Sequence, residues 1–255
     1  MNKHGRMQEI VNTLRIRNMV NIRELTKKFD VSEMTVRRDL NLLARENLIY
    51  LIPGGAVLKR PEDSESRYLV TKEESVRTIE KLKIGQRAVS LVQPNETIIL
   101  DIGTTTEYLA KFLREDAPIT VLCYTFNSLV EVYKKKNCSI IFAGGYFHPQ
   151  TMMFESTEGI ELIRRTRADK AFVSAAGIHD ELGVTTVYPH ELQAKKTILG
   201  STKNRILVVD SSKFGKTKSV YFAEIADFQT IITDSGIPDK YAAFIRDKGI
   251  ELIVV

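Results

Sequence analysis

The sequence has no apolar run approaching the roughly 18 residues that a membrane-spanning helix requires; stretches such as Ile98–Leu100 and Leu207–Val209 stay short. Nor does its N-terminus carry the apolar segment of a secretion signal, so the chain is expected in the cytoplasm and away from membranes. Cysteine is scarce: Cys123 and Cys138 are the only two, and both sit inside apolar, strand-like stretches rather than in a C-x-x-C spacing. They read as buried thiols, which excludes a disulfide framework and leaves no zinc site, and no metal or cofactor is expected. No Ser-His-Asp trio, carboxylate pair spaced for glycoside chemistry or Walker lysine motif can be assigned, so binding is favoured over catalysis. What is present is ordinary globular composition: 255 residues, 43% hydrophobic and 27% charged, enough for one or two domains with a sizeable core.

Charge is unevenly spread. The net charge is +5, but residues 1–60 hold 12 Lys and Arg against 6 Asp and Glu, leaving 25 against 26 in the remainder. A basic head on a near-neutral body suggests a polyanion-binding module joined to something else.

The head has a helical pattern. Met7, Ile10, Val11 and Leu14 recur at helix spacing and predict a helix over residues 4–17. Asn21 is a candidate N-cap for a second helix bearing Ile22, Leu25 and Phe29, and Ser32 for a third starting at Glu33. In the third, Val36, Leu40 and Leu43 share one face while Met34, Arg38, Asn41 and Arg45 lie opposite, flanked by Thr35 and Arg37. Helix, tight turn, helix is the arrangement that places its second helix in the DNA major groove. Arg37 and Arg38 can fork to guanine or phosphate, while Ser32, Thr35 and the helix start can fix the DNA backbone. The glycines of Pro53-Gly54-Gly55 permit a turn between two short apolar runs, which predicts a two-stranded wing.

A polar stretch around Pro61–Ser66 reads as a linker, after which periodicity resumes with Val76, Ile79 and Leu82. The expected division is residues 1–58 for the head, 59–75 for the linker and 76–255 for the body. Apolar runs near 97–101, 119–124, 138–143, 169–174, 205–210, 228–233 and 250–254 alternate with helical patterns, which predicts a mainly parallel α/β sheet. Ligands of such sheets bind beyond the carboxyl ends of strands. Three strand-end loops stand out. Asp101-Ile102-Gly103-Thr104-Thr105-Thr106 joins a glycine bend, three hydroxyls and helix-start amides into a candidate phosphate cradle, although a tight turn with threonine caps would look the same. Tyr124, Thr125 and Asn127 offer neutral hydrogen-bonding groups. Lys213, in Asp210-Ser-Ser-Lys213-Phe214-Gly215-Lys216, could neutralise a phosphate or pair with Asp101, although a surface lysine is the bland alternative. Gly144 and Gly145 add a backbone-close loop, and His148 and His190 are further candidates.

Val31-Ser32-Glu33-Met34-Thr35-Val36-Arg37-Arg38-Asp39-Leu40 resembles the recognition-helix signature of the DeoR family of bacterial transcription regulators. Gly54-Gly55-Ala56 resembles the end of the family's wing, with Leu51 and Pro53 where the family carries Arg and His. Asp101-x-Gly103-Thr104-Thr105-Thr106, Gly144-Gly145 and Asp210-Ser-x-Lys213-Phe214-Gly215 are similar to its effector-domain motifs, so the resemblance runs the length of the chain. It implies an N-terminal winged helix-turn-helix and a C-terminal α/β sensor domain with the ribose 5-phosphate isomerase and CoA-transferase type of fold. It also implies a homo-oligomer that holds double-stranded operator DNA as a repressor and is relieved by a phosphorylated sugar. The loops resemble most the subgroup whose implied effector is deoxyribose 5-phosphate. A family member sensing another sugar phosphate, and a tethered sugar phosphate isomerase using Asp101 or Glu191 as base, are the competing expectations.

Overall fold

The fold is described from a computed structural model over residues 3–17, 19–46, 48–52, 54–58 and 77–255. The expected linker, 59–75, together with Pro53 and Val76, lies outside the described residues. The chain divides into two compact units, Met1–Arg67 and Tyr68–Val255.

In the first unit, α1 (Lys3–Arg17), α2 (Ile22–Phe29) and α3 (Glu33–Arg45) form where the apolar spacing places them. Asn21 caps α2 by accepting from the Arg23 amide, and Asp30 ends it in the left-handed region at φ 50°. Ser32 caps α3 by accepting from the Thr35 amide at 3.2 Å. The predicted wing strands are β2 (Ile49–Ile52) and β3 (Gly55–Leu58), but the sheet has three strands, because β1 (Met19–Asn21) pairs antiparallel with β3 on its other side. That close approach explains Gly55: a Cβ there would lie 2.0 Å from the Val20 carbonyl oxygen. Ile10, Leu14, Leu25, Val36, Leu40 and Leu43 make the core, each worth about 1.5–3 kcal/mol on burial. Asp39 of α3 is also buried, where it accepts from Arg6 Nε of α1 at 2.5 Å.

The second unit is built on seven parallel strands: β4 (Thr97–Leu100), β5 (Ile119–Cys123), β6 (Cys138–Phe142), β9 (Ala168–Val173), β12 (Thr202–Val208), β14 (Thr230–Thr233) and β15 (Glu251–Val254). Their order is β15-β14-β12-β9-β4-β5-β6. Alternate residues feed opposite cores: Ile98 and Leu100 pack with α4 (Thr78–Val89), α5 (Thr104–Phe112) and α6 (Phe126–Tyr133), while Ile99 packs with α7 (Thr157–Arg165), α8 (Leu192–Ser201) and α9 (Asp239–Asp247). Burial on both faces is why these strands read as continuous apolar runs. Two additions had no clear sequence signal: the hairpin β7 (Tyr146–His148) with β8 (Met153–Glu155), and a small antiparallel sheet of β10 (Gly177–His179), β11 (Gly183–Thr186) and β13 (Val220–Ala223).

The stripe expected on α4 is corrected. Ile79 is 71% exposed and Leu82 only half-buried, and the face turned inward carries Lys81, Ile84, Gly85 and Ala88. The helix is rotated this way because Gly85 lets it close on α5, where a Cβ would lie 2.7 Å from that of Tyr108. Among the described residues, no helix is long and apolar enough to cross a membrane.

Candidate DNA-binding face and ligand cleft

On α3 the outward row is polar and open. Ser32, Glu33, Met34, Arg37, Arg38 and Asn41 are exposed, Thr35 is half-buried, and Met34 stands out at 79% exposure. Glu33 Oε1 accepts from Arg37 Nη2 at 2.6 Å, and Asn41 Nδ2 donates to the Arg37 carbonyl at 2.8 Å, so this arginine is held along the helix. Exposed pairs of this kind contribute little stability and exchange readily for a phosphate or base edge. Ser32 Oγ lies 2.9 Å from Thr35 Oγ1 at the helix start.

In the second unit the sheet order reverses between β4 and β9: from β4 the chain moves outward through β5 and β6, and from β9 through β12, β14 and β15. Such a reversal parts the loops that follow the two strands and opens a crevice at their carboxyl ends. A small cleft lies there, lined by Gly103, Thr104 and Thr105 after β4, Ser174 and Ala175 after β9, Val209, Asp210 and Lys213 after β12, and Lys81 from α4. Gly103 has φ 150°, and a Cβ on it would meet Ser174 Oγ at 2.6 Å, so the chain turns into α5 through a position only glycine fills easily. The first amides of α5 have no partner within the helix and carry its positive dipole end.

Other expected residues take different places. Thr106 Oγ1 is turned inward and donates to the carbonyls of Asp101 and Gly103 at 2.8 and 2.7 Å. Asp101 is fully buried: its carboxylate accepts from the Tyr124 hydroxyl, from the Ser174 amide at 3.0 Å and from Lys195 Nζ at 2.5 Å. Lys195 also donates to the Ser174 carbonyl at 2.9 Å, so one ion pair fixes the ends of β4 and β9 against α8. Burial, then the Asp101 carboxylate, pushes the Tyr124 phenol well above its ordinary range. Thr125 is buried at the start of α6 with its hydroxyl unpartnered, and Asn127 Nδ2 donates to Glu107 at 2.7 Å. Gly144 and Gly145 lead into β7; Gly144 accepts from Ser156 Oγ at 2.8 Å, and a Cβ on Gly145 would lie 2.2 Å from the Glu155 carbonyl oxygen. These five residues, with Asp101 and Thr106, do not line the cleft.

Glu191 is buried beside this network, where its carboxylate accepts from Thr186 Oγ1. Burial raises its pKa against the opposing pull of Lys195 and Thr186. His148 and His190 stack with centroids 4.0 Å apart, and burial, then His148, lowers the His190 pKa. Cys123 is a core thiol pushed up to about 12 by burial, and Cys138 is half-buried in β6. Lys81, which lines the cleft, and Lys195, which pairs with Asp101, lie outside the strand-end loops that the motifs single out. Each stands on the core stripe of its helix where a hydrophobe would fit, and that was the available signal.

Comparison with known proteins follows the same division. A family model described as "DeoR-like helix-turn-helix domain" matches residues 6–62, and one described as "DeoR C terminal sensor domain" matches 76–235. The deoxyribose operon repressor of Escherichia coli K12 is 29% identical over 98% of both chains. A putative aga operon transcriptional repressor of Escherichia coli O157:H7 is 26% identical over 98% of this chain and 93% of its own. The ribose 5-phosphate isomerase A of Methanocaldococcus jannaschii aligns over 52% of this chain and 53% of its own at 17% identity and a TM-score of 0.38, a likeness too slight to carry an argument.

Proposed function

Since the chain belongs to the DeoR family of helix-turn-helix transcriptional regulators, we propose that it is an operator-binding repressor relieved by deoxyribose 5-phosphate bound in its sensor domain. The head would comprise residues 1–58, the linker 59–75 and the sensor 76–255. In the head, Arg37, Arg38 and Asn41 read base edges or phosphates from α3, while Ser32, Glu33, Met34 and Thr35 set its N-terminal approach to the groove. Two such heads in a homo-oligomer would meet paired half-sites.

The observation that carries the ligand reading is the cleft at the sheet's reversal point, where two lysines, two threonine hydroxyls and the start of α5 converge. Lysines and helix-start amides suit a phosphate dianion. In this reading Gly103, Thr104, Thr105 and Lys213 touch the ligand. Asp101, Thr106 and Tyr124 brace the cleft, and Thr125, Asn127, Gly144 and Gly145 shape the neighbouring strand ends. Deoxyribose 5-phosphate is chosen over other sugar phosphates on the likeness to the deoxyribose operon repressor, against which the aga operon relative is the counterweight. The isomerase alternative has little support, because both oxygens of Asp101 are engaged and neither Asp101 nor Glu191 lines the cleft.

The test is operator binding by fluorescence anisotropy at fixed salt, since DNA affinity falls steeply with salt, with deoxyribose 5-phosphate, ribose 5-phosphate and fructose phosphates added in turn. Release by deoxyribose 5-phosphate alone is expected. Release by another of these would keep the repressor and replace the effector, and turnover of any of them would revive the enzyme.

A further inference from the structure

We propose that Lys81 is a direct phosphate ligand of the cleft, and that the first turn of α4 thereby senses whether the cleft is occupied. The inference rests on the phosphosugar reading above and adds to it a residue, and a route to the head, that the strand-end loops do not supply.

Lys81 is 1% exposed, yet it lines the same cleft as Thr104, Thr105 and Lys213. A lysine buried on a helix's core face is costly unless an anion compensates it. Asp210 is the acidic residue of the lining, and Arg77 Nε approaches its Oδ1 at 3.7 Å. With Lys81 and Lys213 both in the lining, the cleft retains a positive balance opposite the amides of α5, which fits a doubly charged phosphate.

The position of Lys81 in the chain matters as much as its charge. Arg77 precedes it by one helical turn, at the start of α4 and in the left-handed region at φ 55°. It is the first residue described after the segment that follows the wing. Arg77 Nη2 binds Asp234 Oδ2 at 3.2 Å, and Asp234 in turn accepts from the Ser211 amide and hydroxyl at 2.6 and 2.7 Å. Ser211 stands beside Asp210, at the start of the loop that carries Lys213. A phosphate that draws in Lys81 and Lys213 therefore acts on both ends of the Arg77 tether: on its own helix through Lys81, and on its aspartate partners through the Lys213 loop. A residue held in a sparsely populated conformation is a natural place for two arrangements of nearly equal energy to exchange.

The experiment uses the full chain and calorimetric titration with inorganic phosphate and with deoxyribose 5-phosphate, alongside operator anisotropy with and without each. Lys81→Met is expected to weaken both ligands by about tenfold or more, the scale of one charge-assisted hydrogen bond, while Lys81→Arg restores most of the loss. Arg77→Gln is expected to keep ligand affinity within about threefold and to bring the ratio of operator Kd with and without ligand close to one. Wild-type affinity in Lys81→Met, or a loss in Lys81→Arg equal to that in Lys81→Met, overturns the ligand role. A full response in Arg77→Gln overturns the sensing role. Should Lys81→Met fail to fold by circular dichroism, Lys81→Gln is read by the same criteria. If the wild type binds neither phosphate, the phosphosugar reading itself has failed and this inference falls with it; binding by wild type and variant alike defeats the inference alone.

Discussion

Lys195→Met breaks the ion pair at the centre of the sensor domain, and its cost can be worked from the partners it strands. The lysine is 1% exposed and its partner Asp101 is fully buried, so neither charge can recover its hydration in the folded state. Removing one member of such a pair costs about 3–5 kcal/mol, because the other is left uncompensated. The Ser174 carbonyl also loses a donor, and Lys195 Nζ lies 4.9 Å from the Phe222 ring, although the thioether of Met fills part of that space. Asp101→Asn combined with Lys195→Met removes both charges and leaves an amide oxygen to accept from the Ser174 amide. The double variant is therefore expected to recover about 2–3 kcal/mol relative to the sum of the singles. Urea unfolding followed by circular dichroism measures this, with the sensor transition fitted apart from the head because two units need not unfold together. A Lys195→Met cost below about 1 kcal/mol, or strict additivity in the double variant, would refute the view that this pair fixes the ends of β4 and β9.

Other outcomes follow from the same geometry. Arg38→Ala is expected to weaken operator binding by about 1–3 kcal/mol in anisotropy titrations, and an unchanged Kd would remove Arg38 from the interface. Lys213→Ala is expected to bring the ligand-dependent change in operator Kd close to one, and a full response would take that lysine out of the site. Gly55→Ala should melt the head early in a thermal scan, because its new Cβ meets the Val20 carbonyl oxygen at 2.0 Å; a wild-type melting profile would refute that packing. Glu191 has its pKa raised by burial, so its contribution to stability is full below the ordinary value of 4.5 and is lost as pH climbs through the higher folded value. Glu191→Gln should flatten that part of the stability profile, and an unchanged profile would assign the slope elsewhere.

The main sheet was legible in the sequence because parallel strands buried on both faces leave continuous apolar runs, and all seven expected runs became strands of one sheet. The head was legible because its caps are local: Asn21 and Ser32 each bind an amide two or three residues ahead. Local signals failed where tertiary contact decides. Ile79 carries the right chemistry for a core stripe but points outward, since Gly85 docks α4 on α5 with Lys81 on the inner face. The strand-end loops supplied Gly103, Thr104, Thr105 and Lys213, which the fold brings to one cleft. Asp101 instead found its cation 94 residues away on α8, a pairing no motif spacing could have shown. The three-residue strands β1, β7, β8 and β10 are too short to carry an alternation pattern at all.

The separation of the Lys195 ion pair from those of Arg77 bears on how a ligand could act. A ligand changes operator affinity only through a difference in its own affinity for the two arrangements, and the operator must weaken the ligand by the same factor. Lys195 is fully committed to Asp101 and Ser174, so a ligand that borrowed it would have to repay the buried carboxylate. Arg77 is held more loosely: it is about a third exposed, its contacts with Asp210 and Asp234 measure 3.7 and 3.2 Å, and its Nε lacks a hydrogen bond. A change of one such contact is worth about 1–2 kcal/mol, which corresponds to roughly a 5- to 30-fold shift in operator affinity. That range is the expected size of the ligand response. A response of several thousandfold would need more than the Arg77 tether, and would point to rearrangement between subunits as its main source.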